Sequence, residues 1–462
     1  MDRYASCTGI SVAVTKIARG MERLVGAEVR PGEQQMVRLF FVDLFLLLTA
    51  YYILKVVREP LILMEGGAVV RSYARALQAV LLIVLIPAYS MLANYVEPAR
   101  LVIWISGFFT ISLSCFAALS FAGVHIGFAF FVWLGIFSTT MIAQFWSLAN
   151  DLLTETEGRR LFPLVAVGGT IGGIAGSQIA ARGIGPFGTY PLMLVAAGLL
   201  CCCALLTRSG YRVALAYRRR VPRNDSQQVR DTRGGFTLVL TERYLLLLGI
   251  SVLLLNLINT TGDFVVAQLV STHAKAATLG VRDSGSLQKQ IIGAFYGNFE
   301  TSVTIITAVV QIFVVARLFK VFGVSRSLLF VPIFVAASYS GAALIPVLAL
   351  VAVVKATEDG SEYALENTVQ QALFLPTSRD AKYKAKAAID TFVVRAGDLA
   401  SATLVAIGVY CGLSPRGFLV VNAALGVLWI AVSWNIGGHY RRLSKPVSAP
   451  DEIAADPPEE AA

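Results

Sequence analysis

Apolar stretches of about twenty residues recur along the whole 462-residue chain, and that recurrence limits the fold more than any other feature. A hydrocarbon core roughly 30 Å thick requires about 20 predominantly apolar residues per helical crossing. With no water to satisfy peptide groups there, only helices and closed barrels can span it. A barrel would show alternating segments of about ten residues, and none is present. The chain is therefore expected to be an all-α membrane protein. Only 15% of its residues are charged, against about 25% in soluble domains, too few to clothe a water-soluble surface.

Twelve spans are predicted, near residues 36–57, 75–95, 101–121, 126–149, 161–182 and 189–207, then 244–270, 293–319, 325–345, 346–371, 386–412 and 416–437. They divide the chain into an N-terminal segment (1–35), a six-helix half (36–207), a basic linker (208–243), a second six-helix half (244–437) and a disordered, acidic, Pro/Ala-rich tail (438–462). Basic residues decide the orientation. In or near the segments on one side lie 27, against 8 on the other, so both termini and the linker are expected in the cytoplasm. The net charge of +10 is this same bias, and no nucleic-acid partner is expected. The six cysteines lack metal or disulfide spacing and read as small hydrophobes. The three histidines are scattered, no hydrolase, kinase or zinc pattern appears, and neither an enzyme nor a cofactor is expected.

The halves look related. Ile53-Leu54-Lys55-Val56-Val57-Arg58-Glu59 in span 1 aligns with Leu257-Ile258-Asn259-Thr260-Thr261-Gly262-Asp263 in span 7. Trp146–Asp151 at the end of span 4 aligns with Tyr363–Thr368 in span 10. Related segments at corresponding positions point to the six-plus-six duplication of major-facilitator transporters.

Ionisable groups inside the spans mark where function should lie, because a charge at the bilayer centre costs at least about 2.5–3.5 kcal/mol. At roughly 100° per residue, Lys355, Glu358, Asp359, Glu362 and Glu366 share one arc of span 10. They border either the bundle interior or, for Glu366 above all, a solvated helix extension. Lys55, Arg58 and Glu59 share a face of span 1, where Lys55 and Glu59 have pairing distance. Asn256, Asn259 and Asp263 repeat that geometry in span 7, and span 8 carries Asn298, Glu300 and Thr301. In span 11, Lys386 with Asp390 and Arg395 with Asp398 have the spacing of internal pairs. Asp43 has Arg38 or another helix as candidate partner. Gly168, Gly172 and Gly176 form two GxxxG steps in span 5, a signature of close helix packing.

Ile53-Leu54-Lys55, Phe145-Trp146-Ser147-Leu148-Ala149-Asn150 and Lys384-Ala385-Lys386-Ala387-Ala388-Ile389-Asp390 resemble motifs of the nucleotide translocases, the ATP/ADP exchangers of intracellular bacteria and plastids. The resemblance runs from about residue 36 to 437. It implies a major-facilitator-like fold, a bacterial inner membrane location and antiport of nucleotides such as ATP and ADP, or of a related anionic metabolite. It matches Lys55 and Lys386 to lysines that handle substrate. Arg58, Lys355, Arg395, Asn150 and Asn259 are further substrate-binding candidates by position. Glu59, Asp263, Glu300, Glu358, Asp359, Glu362, Asp390 and Asp398 are candidates for gating or ion coupling. Two departures stand out: span 4 reads Trp133-Leu134-Gly135-Ile136 where the family has an acid, and Gly397-Asp398-Leu399 stands where it has a lysine. Two other functions fit the same spans: proton- or cation-coupled transport of another small metabolite, and a transport-inactive scaffold or sensor.

Overall fold

The computed structural model describes residues 29–30, 33–95, 98–218, 235–377 and 385–444. Most of the N-terminal segment, the centre of the basic linker (219–234), the tail from 445 onward and Lys384 of the third motif lie outside the described residues, as does Cys7. Among the described residues all regular structure is helical.

The first element, Gln34–Tyr95, folds back at Gly67 into two arms, spans 1 and 2. Gly67 has φ of 68°, a left-handed conformation open to glycine without the Cβ penalty. Span 3 is Pro98–Phe121, span 4 Gly127–Leu152, span 5 Glu155–Phe187 and span 6 Thr189–Arg218. A short helix, Gly235–Thr241, leads into span 7, Arg243–Ala277. Span 8 runs from Ser284–Val309 through a π-helical stretch, Val310–Val315, into Ala316–Ser327, which bends at Gly323. Span 9 is Phe330–Leu344. Span 10 joins Leu348–Ser361, π-helical Glu362–Glu366 and Asn367–Leu373. Span 11 joins Lys386–Ala388, π-helical Ile389–Val393 and Val394–Tyr410. Span 12 is Pro415–Leu443. Nine of these helical stretches are long and apolar enough to cross a membrane. Counting the two arms of the first separately and adding the shorter span 9 and the charge-bearing span 10 gives twelve helical spans in two sets of six, the expected all-α architecture.

The tight turns after spans 1, 3, 5, 7 and 11 each hold a glycine at positive φ: Gly67, Gly123, Gly188, Gly280 and Gly412. The up-and-down order puts these turns on one side of the bundle (the turn side) and the basic linker on the other (the linker side).

The glycine stripe of span 5 seats on span 1. A Cβ on Gly168, Gly172 or Gly176 would lie 2.6, 2.3 or 2.4 Å from the carbonyl oxygens of Phe41, Phe45 and Thr49 respectively. Those three partners are four residues apart, so one ridge of span 1 fits one groove of span 5. Span 5 then reaches the other half, where Gly297 of span 8 faces Ala181 and the Ser177 carbonyl, and Gln178 donates to Asn298 and Thr301 at 3.2 and 2.9 Å. Span 4 is locked to span 3 by an aromatic cluster: Trp133 stacks on Phe130 and Phe137 and meets Phe109 and Phe116 edge-on. Trp104, Phe108 and Ile111 stay exposed on span 3, a surface that suits hydrocarbon and not water.

Candidate functional site

The charged arc of span 10 turns inward. Lys355 is 0% exposed; its Nζ donates to Asp359 and lies 3.6 Å from Glu358 and 3.7 Å from Asp263. Glu358 accepts the hydroxyl proton of Tyr339 from span 9. Gly262 of span 7 makes this crowding feasible, since a Cβ there would lie 2.2 Å from Tyr339 Oη and 3.1 Å from Lys355 Cδ. One turn further along, Asn259 donates to Asp359 at 3.1 Å and to Glu362.

Two arginines of span 2 join this cluster to the first half. Arg71 grips Glu59 with Nε and NH2 at 2.7 and 3.2 Å, and Arg58 adds a third bond to Glu59 at 3.0 Å. Arg75 donates to Asp263 at 2.7 Å, and Arg71 lies 3.9 Å from the same carboxylate. Arg71 therefore touches both Glu59 and Asp263, the residues at corresponding positions of spans 1 and 7. Phe131 of span 4 presents its ring to Arg58 at 4.4 Å and to Arg71 at 5.6 Å, a geometry that favours cations. Arg58, Arg71, Arg75 and Lys355 face Glu59, Asp263, Glu358 and Asp359 in a network that balances four charges of each sign on the turn side. Such balance offsets desolvation only because nearly every group also has hydrogen bonds. Arg71 and Arg75 were not foreseen as site residues. They follow the Gly67 turn closely and counted among the loop bases, but their i, i+4 spacing already placed them on one face.

Lys55 lies deeper, twelve residues before the turn, roughly 18 Å along the helix. Its expected pairing with Glu59 does not form, because Arg58 and Arg71 occupy that carboxylate. Instead Lys55 reaches across to span 8 and donates to Glu300 at 2.7 Å. It stands 5.3 Å above the ring of Tyr52 and within electrostatic reach of Tyr51 and Tyr363. Tyr363 is 49% exposed, and the Lys55 side chain is itself 15% exposed, so this position is not sealed.

Toward the linker side the expected set comes apart. Arg395 pairs with Asp398 at 3.2 Å as its spacing implied, leaving Nε without a partner. The expected Lys386–Asp390 pair does not form. Lys386 donates to Gln371 of span 10, and Asp390 is exposed. The π-helical stretch at Ile389–Val393 opens the i, i+4 register on which the pair depended. Asn150, at the linker-side end of span 4, is exposed and stands apart from the cluster. Asp43 accepts from Thr207 of span 6 at 2.7 Å, and Arg38 bonds its own helix at the Gln34 carbonyl. Glu366 is no solvated extension. It is 1% exposed, at the end of the π-helical stretch Glu362–Glu366.

No protein-family model matches the chain, and no curated protein matches it in sequence. Solved structures do. The nucleoside transporter NupG aligns with a TM-score of 0.62 at 11% identity, covering 89% of this chain and 99% of that one. A bacterial homologue of the iron transporter ferroportin, in an inward-facing state, aligns at 0.58 and 15% identity, covering 87% and 99%. The peptide transporter PepTSo of the POT family aligns at 0.58 and 12% identity, covering 88% and 98%. At such identities the likeness is one of fold, and the fold of this chain is that of the major-facilitator transporters.

Proposed function

We propose that this protein is a secondary transporter that carries a nucleotide-like anionic solute across the bacterial inner membrane by alternating access. The reading rests on Lys55. Partly exposed beside the half-exposed Tyr363, this ammonium bridges the two halves through Glu300. A phosphate oxygen is a good partner for a lysine point charge and competes with Glu300 for it. Binding of solute would then exchange a link between the halves for a link to the cargo, and the halves would be free to rock about the site. Tyr51, Tyr52 and Tyr363 supply ring faces around that position for a base, and Asn259 supplies an amide. The motif resemblance to nucleotide translocases and the likeness to a nucleoside transporter support this class of solute. By the positive-inside bias the linker side is cytoplasmic, and the ion pairs at Glu59 and Asp263 form a closed extracellular gate. The halves 36–207 and 244–437 are the two rocking bodies.

A second reading has one specific observation in its favour. Each of Lys55, Arg395 and the four turn-side cations has a carboxylate within bonding distance, so the interior holds no evident surplus of positive charge for a tri- or tetra-anion. A monophosphate or an uncharged nucleoside, moved with a proton, suits that inventory better than ATP. Proteoliposomes preloaded with unlabelled ATP, ADP, AMP or adenosine and challenged with the labelled compound distinguish the two. Counterflow with ATP and ADP supports the first reading, and counterflow with AMP or adenosine but not ATP or ADP supports the second. No counterflow across the panel sinks both.

A further inference from the structure

Glu366 differs from every carboxylate in the charged network. Lys55, Arg58, Arg71, Arg75, Lys355 and Arg395 are bound to Glu300, Glu59, Asp263, Asp359 and Asp398. Glu366 is buried to 1% exposure, and its one hydrogen bond is from the neutral amide of Gln370, at 3.3 Å to Oε1. Its Oε2 is buried without a partner. It borders a cavity of about 20 Å³, large enough for one water molecule. Ser251 of span 7, Gln371 of span 10 and Lys386 and Asp390 of span 11 share that cavity.

The groups facing it from each neighbouring element are already committed or exposed. Lys386 gives its ammonium to Gln371. Ser251 accepts from Trp429 at 2.7 Å. Span 8 brings Glu300, held by Lys55, then Val310–Val315, which has no charged side chain, and then Ala316–Ser327, whose Arg317, Lys320 and Arg326 are all exposed. Span 9 has none either. Along span 10, Glu362 is held by Asn259. Asp390 is exposed at the far wall of the cavity. An ionised carboxylate in such a place carries a heavy desolvation cost with no cation within ion-pair distance to offset it, and a proton on Oε2 removes that cost.

We propose that Glu366 is a proton-binding site, loaded and emptied from the linker side through the cavity it shares with Asp390. The step is a simple transfer: hydronium gives its proton to Oε2, an O–H bond forms, and water is left. This deepens the second reading above by naming the group that binds the co-transported ion, but proton binding itself requires no knowledge of the solute.

Infrared difference spectra of the purified full chain in lipid nanodiscs, recorded across a pH step, read protonated carboxyl groups directly. The wild type is expected to show a carboxylic-acid carbonyl band that Glu366→Gln loses in part. Superimposable spectra of the two proteins overturn the proposal. Gln370→Leu keeps Glu366 and removes only its donor, so the same band should shift in frequency; no shift also overturns it, whether or not Glu366→Gln folds. Asp390→Asn should retain the band and slow its appearance after the pH step. In proteoliposomes, solute-driven proton movement should be lost in Glu366→Gln. A carrier that fails every nucleotide and nucleoside assay yet shows the band disproves the transport reading and leaves the proton site standing.

Discussion

Replacing Asp263 with Asn is expected to open the turn side of the protein. Asp263 accepts from Arg75 at 2.7 Å, with Arg71 at 3.9 Å, and these contacts tie span 7 of one half to span 2 of the other. Lys355, on the far side of Asp263, keeps Glu358 and Asp359, so the second half stays internally neutralised. The asparagine preserves shape and one acceptor oxygen, and what disappears is the charge-assisted link between halves. Hydrogen bonds to charged groups contribute about 1.5–3 kcal/mol. Because this one exists only while the turn side is closed, its loss shifts the open-to-closed ratio by that amount. At 2 kcal/mol the shift is roughly 30-fold, and a state populated at a few per cent becomes comparable with the closed one. Electron–electron distance measurements between spin labels at Val124 and Ile345 report it. Both are exposed on the turn side, one in each half, and the six native cysteines are replaced beforehand. A second, longer distance should appear in Asp263→Asn and in Arg75→Met, and the double variant should open no further than either single one. An unchanged short distance in both single variants refutes the assignment of this pair as a gate.

Lys55→Ala should abolish counterflow of anionic solutes, with partial activity in Lys55→Arg; full activity in Lys55→Ala would remove the lysine from the site. Glu300→Gln frees the Lys55 ammonium from its carboxylate, so thermal-shift titration should show tighter binding of the anionic ligand, and weaker or equal binding contradicts the competition between them. Gly172→Val drives a methyl-bearing carbon into the Phe45 carbonyl, 2.3 Å away; overpacking of this kind costs about 1–3 kcal/mol, and a fluorescence-detected melting curve should show a lowered transition. Trp429→Phe loses the 2.7 Å bond to Ser251, worth about 0.5–1.5 kcal/mol net, and should melt slightly earlier with transport retained.

The spans were legible because membrane helices announce themselves by length and apolarity alone. The inward arc of span 10 was legible too, since Lys355, Glu358 and Asp359 lie in regular α-helix where 100° per residue holds. The partners were less so. Helical spacing shows which groups on one helix have reach, but Lys55 chose Glu300 and left Glu59 to arginines that tertiary packing delivered. Arg71 and Arg75 hid because they sit just past a turn, where bases are ordinary. The lost Lys386–Asp390 pair depends on a π-helical stretch, whose extra residue per turn leaves no mark in an apolar sequence.

Those stretches have a mechanical consequence. Val310–Val315, Glu362–Glu366 and Ile389–Val393 all fall in the second half of the chain, where widened turns are natural points of bending. In the first half, span 1 and span 5 are held together backbone to backbone by the glycine stripe. The two halves therefore differ in stiffness, and in the proposed transport cycle bending is expected in spans 8, 10 and 11. Deleting one residue from Glu362–Glu366 would take out the extra residue of the widened turn and straighten span 10, while Gln370 and Gln371 beyond it would stay close to their present facing.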